Sequence, residues 1–335
     1  MDSAQLLSLT GALRGKRVVV IGDVVADEFV YGRVARVSRE APVLILEYDS
    51  SEIVPGGAGN AANNIAALGG RATLVALVGR DEPARRLVSA LHRGVDPRLV
   101  RVASMPTPVK TRILAGGVHS AKQQVVRIDR GVAPQITPRV RAAFEQAALK
   151  ACKKADAVLV SDYGSGLITP ALVQKIRRGL TGAQGPTPVL IDTRYRLLSY
   201  TGLTACTPNQ SEVEQALGIQ INDDTRVLEK AGRAILERTR MQAVLITRGS
   251  HGMALFVRNG PVVHLPIFGS DAIVDVTGAG DTVVSAVTLA LAAGGGFEAA
   301  ARLANYAGGL VVMKRGTATV GAGELRRAIS KDGRG

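Results

Sequence analysis

The sequence predicts an α/β protein with a mostly parallel central sheet flanked by helices and a small β-sheet lid. Short, uniformly apolar runs alternate with helix-length segments, which is typical of a parallel sheet covered on both faces. Two further regions lack helical periodicity and resemble hairpins. With 335 residues and 46% hydrophobic content, the chain can bury one large core with an appendage. We therefore expect residues 1–335 to form a single domain.

The apolar runs end in small or polar residues, and helices separate them. The predicted strands are 17–23, 72–79, 157–163, 188–193 and 243–249. The predicted helices are 57–69, 138–154, 169–180 and 225–240. Ligands of such folds bind beyond the carboxyl ends of the strands, so polar residues at these ends are candidates by position. They are Asp23, Asp162, Asp192 and Arg248.

Two regions interrupt the alternation of strands and helices. Residues 27–54 and 107–131 each have the alternating pattern of a β-hairpin, and about two strand–helix units separate them. We expect the two hairpins to pair into a small sheet that covers the ligand crevice.

The composition disfavours some classes of protein. The net charge is +14, but the basic residues are scattered, aromatic residues make up 3% of the chain and Trp is absent. A nucleic-acid partner is therefore not expected, whereas attraction of phosphorylated small molecules is. Cys152 and Cys206 cannot form a disulfide framework. We see no signal-peptide pattern and no apolar run long enough to cross a bilayer, so we expect a cytoplasmic protein without a membrane partner.

The segment DVTGAGDTVVSAV (275–287) places a glycine-rich turn and an acid at the start of a predicted helix. If the helix begins near Gly280, the N–H groups of Gly278, Ala279 and Gly280 are free to bind an anion. Asp281 would lie beside that anion, where a carboxylate can deprotonate a hydroxyl that attacks a phosphoryl group. An isolated Asp here is more often a helix cap. The complete pattern favours catalysis.

A second glycine-rich segment, PGGAGNAANNIAALGG (55–70), begins another predicted helix. Gly56, Gly57 and Asn60 offer N–H and amide groups that could bind sugar hydroxyls. Tight packing of the helix on a sheet would explain the small residues equally well. The segment is not a Walker A loop, because no Gly-Lys-Ser/Thr follows.

These two segments resemble the signatures of the ribokinase-like (PfkB) carbohydrate kinases. TPNQSEVEQALG (207–218) resembles the Asn-x-x-Glu segment of that family, and LITRGSHGMALF (245–256) resembles its nucleotide-edge strand and hairpin. The resemblance extends in order over roughly residues 15 to 325. It implies a ribokinase-like fold and a phosphotransferase with an alcohol acceptor that uses ATP and Mg²⁺, with K⁺ as a candidate further ion.

The resemblance also implies roles for individual residues. Asp281 would be the base, and Gly278, Ala279 and Gly280 would form the anion hole. The residues implied at the nucleotide are Asn209, Glu212, Thr247, Gly249, Gly252 and Asn305, of which Glu212 would act on Mg²⁺ through water. Asp275 and Thr277 fall where relatives bind a monovalent cation.

Four further segments resemble the kinase part of heptose 7-phosphate kinases. They are residues 22–47, 122–129, 158–169 and 304–320. The resemblance implies phosphorylation of C1 of D-glycero-β-D-manno-heptose 7-phosphate to the 1,7-bisphosphate, in the synthesis of ADP-heptose and lipopolysaccharide core. Such kinases are often fused to a nucleotidyltransferase, which is not recognisable after Thr319, so a stand-alone kinase is expected. Its hairpin lid would pair between subunits in a homodimer.

The residues implied for the sugar are Asp23, Asp27, Gly56, Gly57, Asn60, Gln123, Arg127 and Asp162. Lid cations would bind its phosphate, and the candidates are Arg39, Lys110, Arg112, Lys122 and Arg127. Ser165 departs from the Lys of the DYGKG segment in similar kinases, which leaves the sugar open. Another acceptor, such as ribose or fructose 1-phosphate, and a non-catalytic regulator on the same fold remain alternatives.

Overall fold

The computed structural model describes residues 2–116, 122–131, 136–182, 185–269 and 274–333. These residues form fifteen strands. In chain order they are β1 (Arg17–Gly22), β2 (Val24–Val37), β3 (Leu44–Gly57), β4 (Arg71–Val78), β5 (Val95–Arg101), β6 (Val109–Gly116), β7 (Gln123–Arg130), β8 (Ala157–Asp162), β9 (Thr181–Gly182), β10 (Gly185–Pro186), β11 (Val189–Thr193), β12 (Ala205–Cys206), β13 (Ala243–Thr247), β14 (Met253–Val257) and β15 (Val262–Leu265).

The same residues form ten α-helices. They are α1 (Ser3–Ala12), α2 (Ala58–Ala67), α3 (Glu82–Ser89), α4 (Pro138–Cys152), α5 (Pro170–Gly179), α6 (Gln210–Leu217), α7 (Thr225–Thr239), α8 (Ala279–Ala292), α9 (Phe297–Val311) and α10 (Ala322–Asp332). Among the described residues, no helix combines the length and the apolar character needed to cross a membrane.

Nine strands form the central sheet, in the order β15-β14-β13-β12-β11-β8-β1-β4-β5. The strands from β13 to β5 in this order pair in parallel, and β14 and β15 add an antiparallel edge. Every residue of β8 is buried, as the uniformly apolar run predicted. The predicted α/β class with a mostly parallel sheet is therefore confirmed.

Helices cover both faces of this sheet. Along β1, Val18 and Val20 pack in the core with α2, α8 and α9, whereas Val19 and Ile21 pack in the opposite core with α4, α5 and α7. This division follows from the period of two in a strand, since successive side chains point to opposite faces. Apolar residues from Val18 to Ile21 are therefore needed to fill the cores on both faces of the sheet.

The lid sheet is separate and has the order β3-β2-β6-β7. Its two antiparallel hairpins join through a parallel pairing of β2 with β6, in which Asp27 faces Lys110. The first hairpin is longer than predicted, because β2 begins at Val24 and β3 continues to Gly57. Part of the connection between β6 and β7, residues 117–121, lies outside the described residues. The expected pairing of the two hairpins is present.

Candidate active site

Asp281 lies in the first turn of α8 and is 4% exposed. Gly278 precedes the helix with φ +78°, a left-handed conformation that glycine adopts without strain. A Cβ at this position would lie 2.5 Å from Nδ2 of Asn60, so the turn also requires a residue without a side chain. The Gly-Ala-Gly sequence therefore brings the start of α8 close to α2.

Two neutral donors hold the Asp281 carboxylate. Nδ2 of Asn60 donates to Oδ2 at 2.8 Å, and the hydroxyl of Tyr163 donates to Oδ1 at 3.0 Å. Asn60 is itself fixed, because its Oδ1 accepts a hydrogen bond from Asn64 at 3.0 Å. The carboxylate is thus oriented by residues from α2 and from the loop after β8.

Burial raises the pKa of Asp281 to about 7. The hydrogen bonds from Asn60 and Tyr163 and the charge of Lys110 act in the opposite direction, while Asp27 adds to the rise. A general base is most effective when its pKa lies near the working pH. The electrostatic surroundings of Asp281 therefore suit proton abstraction better than helix capping alone.

The backbone at the start of α8 differs in one respect from the prediction. The N–H of Ala279 donates to the carbonyl of Val276 at 3.2 Å, so it is not free. The N–H groups of Gly278 and Gly280 have no backbone acceptor among the described residues. The prediction of three free amides is corrected to two.

A cleft lined by glycines opens beside this turn and has a volume of about 150 Å³. We call it the glycine cleft. Six residues predicted at the catalytic turn or the nucleotide line it, namely Thr247, Gly249, Gly252, Ala279, Gly280 and Asn305. Gly252 has φ +74°, and a Cβ there would lie 2.1 Å from the carbonyl oxygen of Leu265, so the hairpin between β13 and β14 cannot turn without glycine.

Asn209 and Glu212 begin α6 with a capping box. Oδ1 of Asn209 accepts the N–H of Glu212 at 2.9 Å, and Oε2 of Glu212 accepts the N–H of Asn209 at 2.9 Å. Asn209 also bridges to Thr247, which lines the glycine cleft. Burial raises the pKa of Glu212 against the effects of these hydrogen bonds and of Arg194. The local sequence thus fixes the Glu212 carboxylate in the first turn of α6, next to the residue that pairs with Thr247.

Asp192 is a further carboxylate, and its charge interacts with those of Asp281 and Glu212. Burial raises its pKa well above the usual value, and the charges of Asp281, Glu212 and Asp162 raise it further. Its position at the end of β11 identified it as a candidate, but no motif indicated its role.

A second cavity, of about 330 Å³, lies between the lid sheet and the ends of the central strands. We call it the polar cavity. Its charged lining residues are Asp23, Lys110, Arg127, Asp129 and Arg194. Tyr163 also lines it and joins it to Asp281 through the 3.0 Å hydrogen bond. The Asp281 carboxylate is therefore linked to this cation-rich cavity through Tyr163 and to the glycine cleft through its neighbour Gly280.

Asp23 and Asp27 are both buried at the start of β2. Asp23 accepts hydrogen bonds from the N–H of Tyr163 at 2.9 Å and from the hydroxyl of Ser165. Asp27 forms an ion pair with Arg112, in which both side chains are largely buried. Asp23 lines the polar cavity, as predicted, whereas Asp27 and Arg112 pair with each other.

Two residues predicted at the sugar have internal hydrogen-bond partners. Asp162 is 2% exposed, and its oxygens accept from Gly164 N at 3.1 Å, Thr193 Oγ1 at 2.9 Å and Tyr200 OH at 2.6 Å. These partners do not support a substrate contact for Asp162. The amide of Asn60 donates to Asp281, so this side chain positions the Asp281 carboxylate.

Gly56 and Gly57 allow close approach of the chain. A Cβ at Gly56 would lie 2.2 Å from Oδ2 of Asp27, and one at Gly57, which has φ +57°, would lie 2.6 Å from the carbonyl oxygen of Asp23. On the lid, Arg127 lines the polar cavity, whereas Gln123 is exposed and does not. These glycines shape the cavity, and the prediction for Gln123 is not supported by its position.

Asp275 and Thr277 form a compact turn before α8. Oδ1 of Asp275 accepts the N–H of Thr277 at 2.9 Å, and Oδ2 accepts the N–H of Gly316 at 2.9 Å. Burial alone would raise the pKa of Asp275. The hydrogen bonds from Thr277 and Gly316 outweigh this effect, so the pKa of Asp275 is lowered. The turn therefore holds an ionised carboxylate against the segment after α9.

The fold and the site together define a phosphotransferase of the α/β type that acts on an alcohol. The buried Asp281 carboxylate lies in the first turn of α8, next to Gly280 of the glycine cleft and hydrogen-bonded to Tyr163 of the polar cavity. The pfkB family carbohydrate kinase model matches residues 16–322, and the chain belongs to this family. The resemblance seen in the sequence is confirmed.

Relatives and solved structures agree with this assignment. The chain is 42% identical over 336 residues to the bifunctional protein HldE of Caulobacter vibrioides, a match that covers 98% of this chain and 66% of that protein. The fold is similar to Arabidopsis thaliana ribokinase complexed with ribose and ATP, with a TM-score of 0.71, 20% identity and coverage of 94% of this chain and 99% of the ribokinase. It is also similar to phosphofructokinase-2 from Escherichia coli in complex with potassium, with a TM-score of 0.74, 17% identity and coverage of 95% and 99%. The chain thus spans slightly less than two thirds of the length of the HldE protein.

Proposed function

We propose that the protein phosphorylates the C1 hydroxyl of D-glycero-β-D-manno-heptose 7-phosphate with ATP, yielding the 1,7-bisphosphate and ADP for lipopolysaccharide-core synthesis. The observation that carries the proposal is the buried Asp281, which follows Gly280 of the glycine cleft and accepts a hydrogen bond from Tyr163 of the polar cavity. The resemblance of four segments to heptose 7-phosphate kinases supplies the acceptor. The similarity to HldE over nearly the whole chain supports it.

In this reaction ATP lies in the glycine cleft and the sugar lies in the polar cavity. Asp281 takes the proton from the C1 hydroxyl, and the oxygen forms a bond to the γ-phosphorus. The bond from that phosphorus to the bridging oxygen breaks, and ADP leaves. The free N–H groups of Gly278 and Gly280 stabilise negative charge on the transferring group. The lid sheet excludes water that would otherwise accept the phosphoryl group.

A divalent ion, which we propose to be Mg²⁺, would be held by Glu212 and Asp192 together with the phosphates. The fit rests on two carboxylates whose pKa values burial raises, since a cation would relieve the cost of their charges. Oε1 of Glu212 accepts no hydrogen bond from the described residues. When bound, Mg²⁺ neutralises charge on the phosphates.

We also propose that K⁺ binds next to Asp275 and Thr277. The ionised Asp275 and the similarity to a kinase solved with potassium support this proposal. Turnover measured in K⁺ and in tetramethylammonium would test it, with equal rates as the opposing result.

We propose a cytoplasmic homodimer that forms through the lid sheet. One observation that supports this proposal is that apolar residues of the lid sheet are exposed, among them Val37 at 59% and Val125 at 50%. The other is β7, which is exposed along its whole length and pairs on one side only among the described residues. Exposed strand edges with apolar residues favour pairing with another chain.

The experiment that tests the kinase proposal is ADP release from Mg²⁺-ATP with heptose 7-phosphate, ribose and fructose 1-phosphate, followed by ³¹P NMR of the product. We expect turnover with the heptose alone and a new C1 phosphate signal. Turnover with another sugar would show that the proposed acceptor is wrong, while the proposed mechanism of phosphoryl transfer would still hold. ATP binding without turnover of any sugar would favour a non-catalytic regulator.

A further inference from the structure

Three cations from two parts of the chain converge on the polar cavity. Lys110 and Arg127 extend from strands β6 and β7 of the lid sheet, and Arg194 follows β11 of the central sheet. The only carboxylates that line this cavity in the described part of the chain are Asp23 and Asp129. The cavity lining therefore carries a positive balance.

The two carboxylates are already occupied. Asp23 accepts hydrogen bonds from Ser165 and Tyr163, and Asp129 forms a salt bridge with Arg127 at 2.9 Å. Lys110 and Arg194 form no salt bridge with any residue that the structure describes. Lys110 and Arg194 thus face the cavity without an ion-pair partner among the described residues, although the charge of Asp27 acts on Lys110 and that of Arg194 acts on Glu212.

The environment of Lys110 disfavours its charge when the cavity holds no anion. Burial lowers its pKa, Asp27 opposes this effect, and the nearby charge of Arg194 lowers it further. Its Nζ lies 5.9 Å from the centre of the Tyr163 ring, so it also lies near the base. A bound dianion would offset the repulsion between Lys110 and Arg194.

Ser165 lines the same cavity but has no charge to offer. Its hydroxyl donates to Asp23 and accepts the N–H of Leu167 at 3.1 Å. Positive charge for a phosphate in the cavity must therefore come from the other lining residues, Lys110, Arg127 and Arg194.

We infer that Arg194 and Lys110 bind the phosphate group of the acceptor, and that Arg127 completes this subsite from the lid. The inference rests on the proposed function and deepens it, since it assigns a phosphorylated sugar to the polar cavity through a residue that no motif indicated. The guanidinium fork of Arg194 can bind two phosphate oxygens at once. Arg194 is thus a specificity-determining residue for phosphorylated acceptors.

The test compares Arg194→Gln with Arg196→Gln in the full chain. Arg196 lies two residues further on and does not line the polar cavity, so it controls for loss of charge from the same loop. We measure KM and kcat for heptose 7-phosphate, KM for ATP, and calorimetric binding of heptose 7-phosphate without ATP. Circular dichroism checks the fold of both variants.

We expect Arg194→Gln to raise KM and the dissociation constant for heptose 7-phosphate by about 10- to 100-fold, as for loss of a charged hydrogen bond. Its KM for ATP should stay unchanged, Arg194→Lys should recover part of the affinity, and Arg196→Gln should match the wild type. Equal behaviour of Arg194→Gln and Arg196→Gln would overturn the inference. So would a fall in kcat with unchanged sugar binding, since Arg194 would then act on the transferring group.

The same experiment separates this inference from the proposed function. If the wild type neither binds nor phosphorylates heptose 7-phosphate, the proposed acceptor is wrong before any variant is compared. If the wild type does both and Arg194→Gln is unaffected, only the assignment of Arg194 fails.

Discussion

The hydroxyl of Tyr163 and Oδ1 of Asp281 form a 3.0 Å hydrogen bond that joins the end of β8 to the first turn of α8. Tyr163 can only donate in this bond while it is protonated, and burial together with Asp281 raises its pKa well above the usual value. Tyr163 is therefore a permanent donor that stabilises the ionised base. The pH dependence of the reaction depends on this contact.

Replacing Tyr163 with Phe should shift the pH profile of kcat/KM towards higher pH. Asp281 acts as a base when ionised, so the rate rises with pH through its pKa of about 7. Loss of a hydrogen bond to a charged group, worth about 1.5–3 kcal/mol, should raise that pKa by about one to two. Tyr195→Phe, at an exposed residue of the same cavity, is the control. An unchanged midpoint in Tyr163→Phe would contradict the expectation.

Replacing Asp281 with Asn should lower kcat by about 10²- to 10⁴-fold, the usual contribution of a general base, and leave ATP binding intact. Steady-state rates and calorimetric ATP titration measure the two effects. Near-normal turnover would remove Asp281 from the mechanism and would favour a capping role.

The same Asp281→Asn variant should also be more stable than the wild type at high pH. The pKa is raised from 3.8 to about 7 on folding, so ionisation costs stability progressively between these values and fully above pH 7, at most about 4 kcal/mol. Urea unfolding at pH 5 and pH 8 should therefore show a larger advantage of Asn at pH 8. An advantage that does not change with pH would argue against a buried, titrating carboxylate.

Replacing Arg112 with Met should destabilise the protein by about 3–5 kcal/mol, because Asp27 would remain buried without its partner. Urea unfolding measures the loss. The double variant Asp27→Asn with Arg112→Met should recover much of the stability, since no charge is then left unpaired. A double variant as unstable as the single one would show that packing of Arg112, which lies 5.4 Å from the Phe29 ring centre, is what matters.

Replacing Ile128 on β7 with Glu should convert the proposed dimer into monomers. Ile128 is 47% exposed in the chain, and a charge placed in an apolar interface between subunits disfavours association. Size-exclusion chromatography with light scattering measures the mass. Met313→Glu, at an exposed apolar residue outside the lid sheet, is the control and should leave the mass unchanged. A monomeric wild type would refute the interface directly.

Much of the fold was predictable because its signals are local. Residues 18–21 of β1 and 157–160 of β8 are continuously apolar since both faces of these strands are buried, and the start of α8 carries its own motif. β5 was not predicted, because it lies at the edge of the sheet, contains Pro97 and is only partly buried. An edge strand lacks the apolar continuity that identifies a central one.

The site was predictable only where one segment carries the chemistry. Asp281 and the nucleotide glycines lie in motifs, and the structure brings most of them together at the glycine cleft. The role of Tyr163 depends on a residue 118 positions away, and that of Arg194 depends on strands of the lid. Asp162 shows how little a position at a strand end decides, since Asp23 shares that position and lines the polar cavity whereas Asp162 accepts hydrogen bonds from Thr193 and Tyr200 inside the protein.

The three residues at the base come from distant parts of the polypeptide, with Asn60 and Asp281 separated by 221 positions. During translation, α2 is synthesised long before α8. Asn60 can therefore donate its hydrogen bond to Asp281 only after α8 has been made. In refolding, helical signal should return before activity, because contacts of such long sequence separation close late. Recovery of turnover should accordingly report that α2, the loop after β8 and the start of α8 have come together.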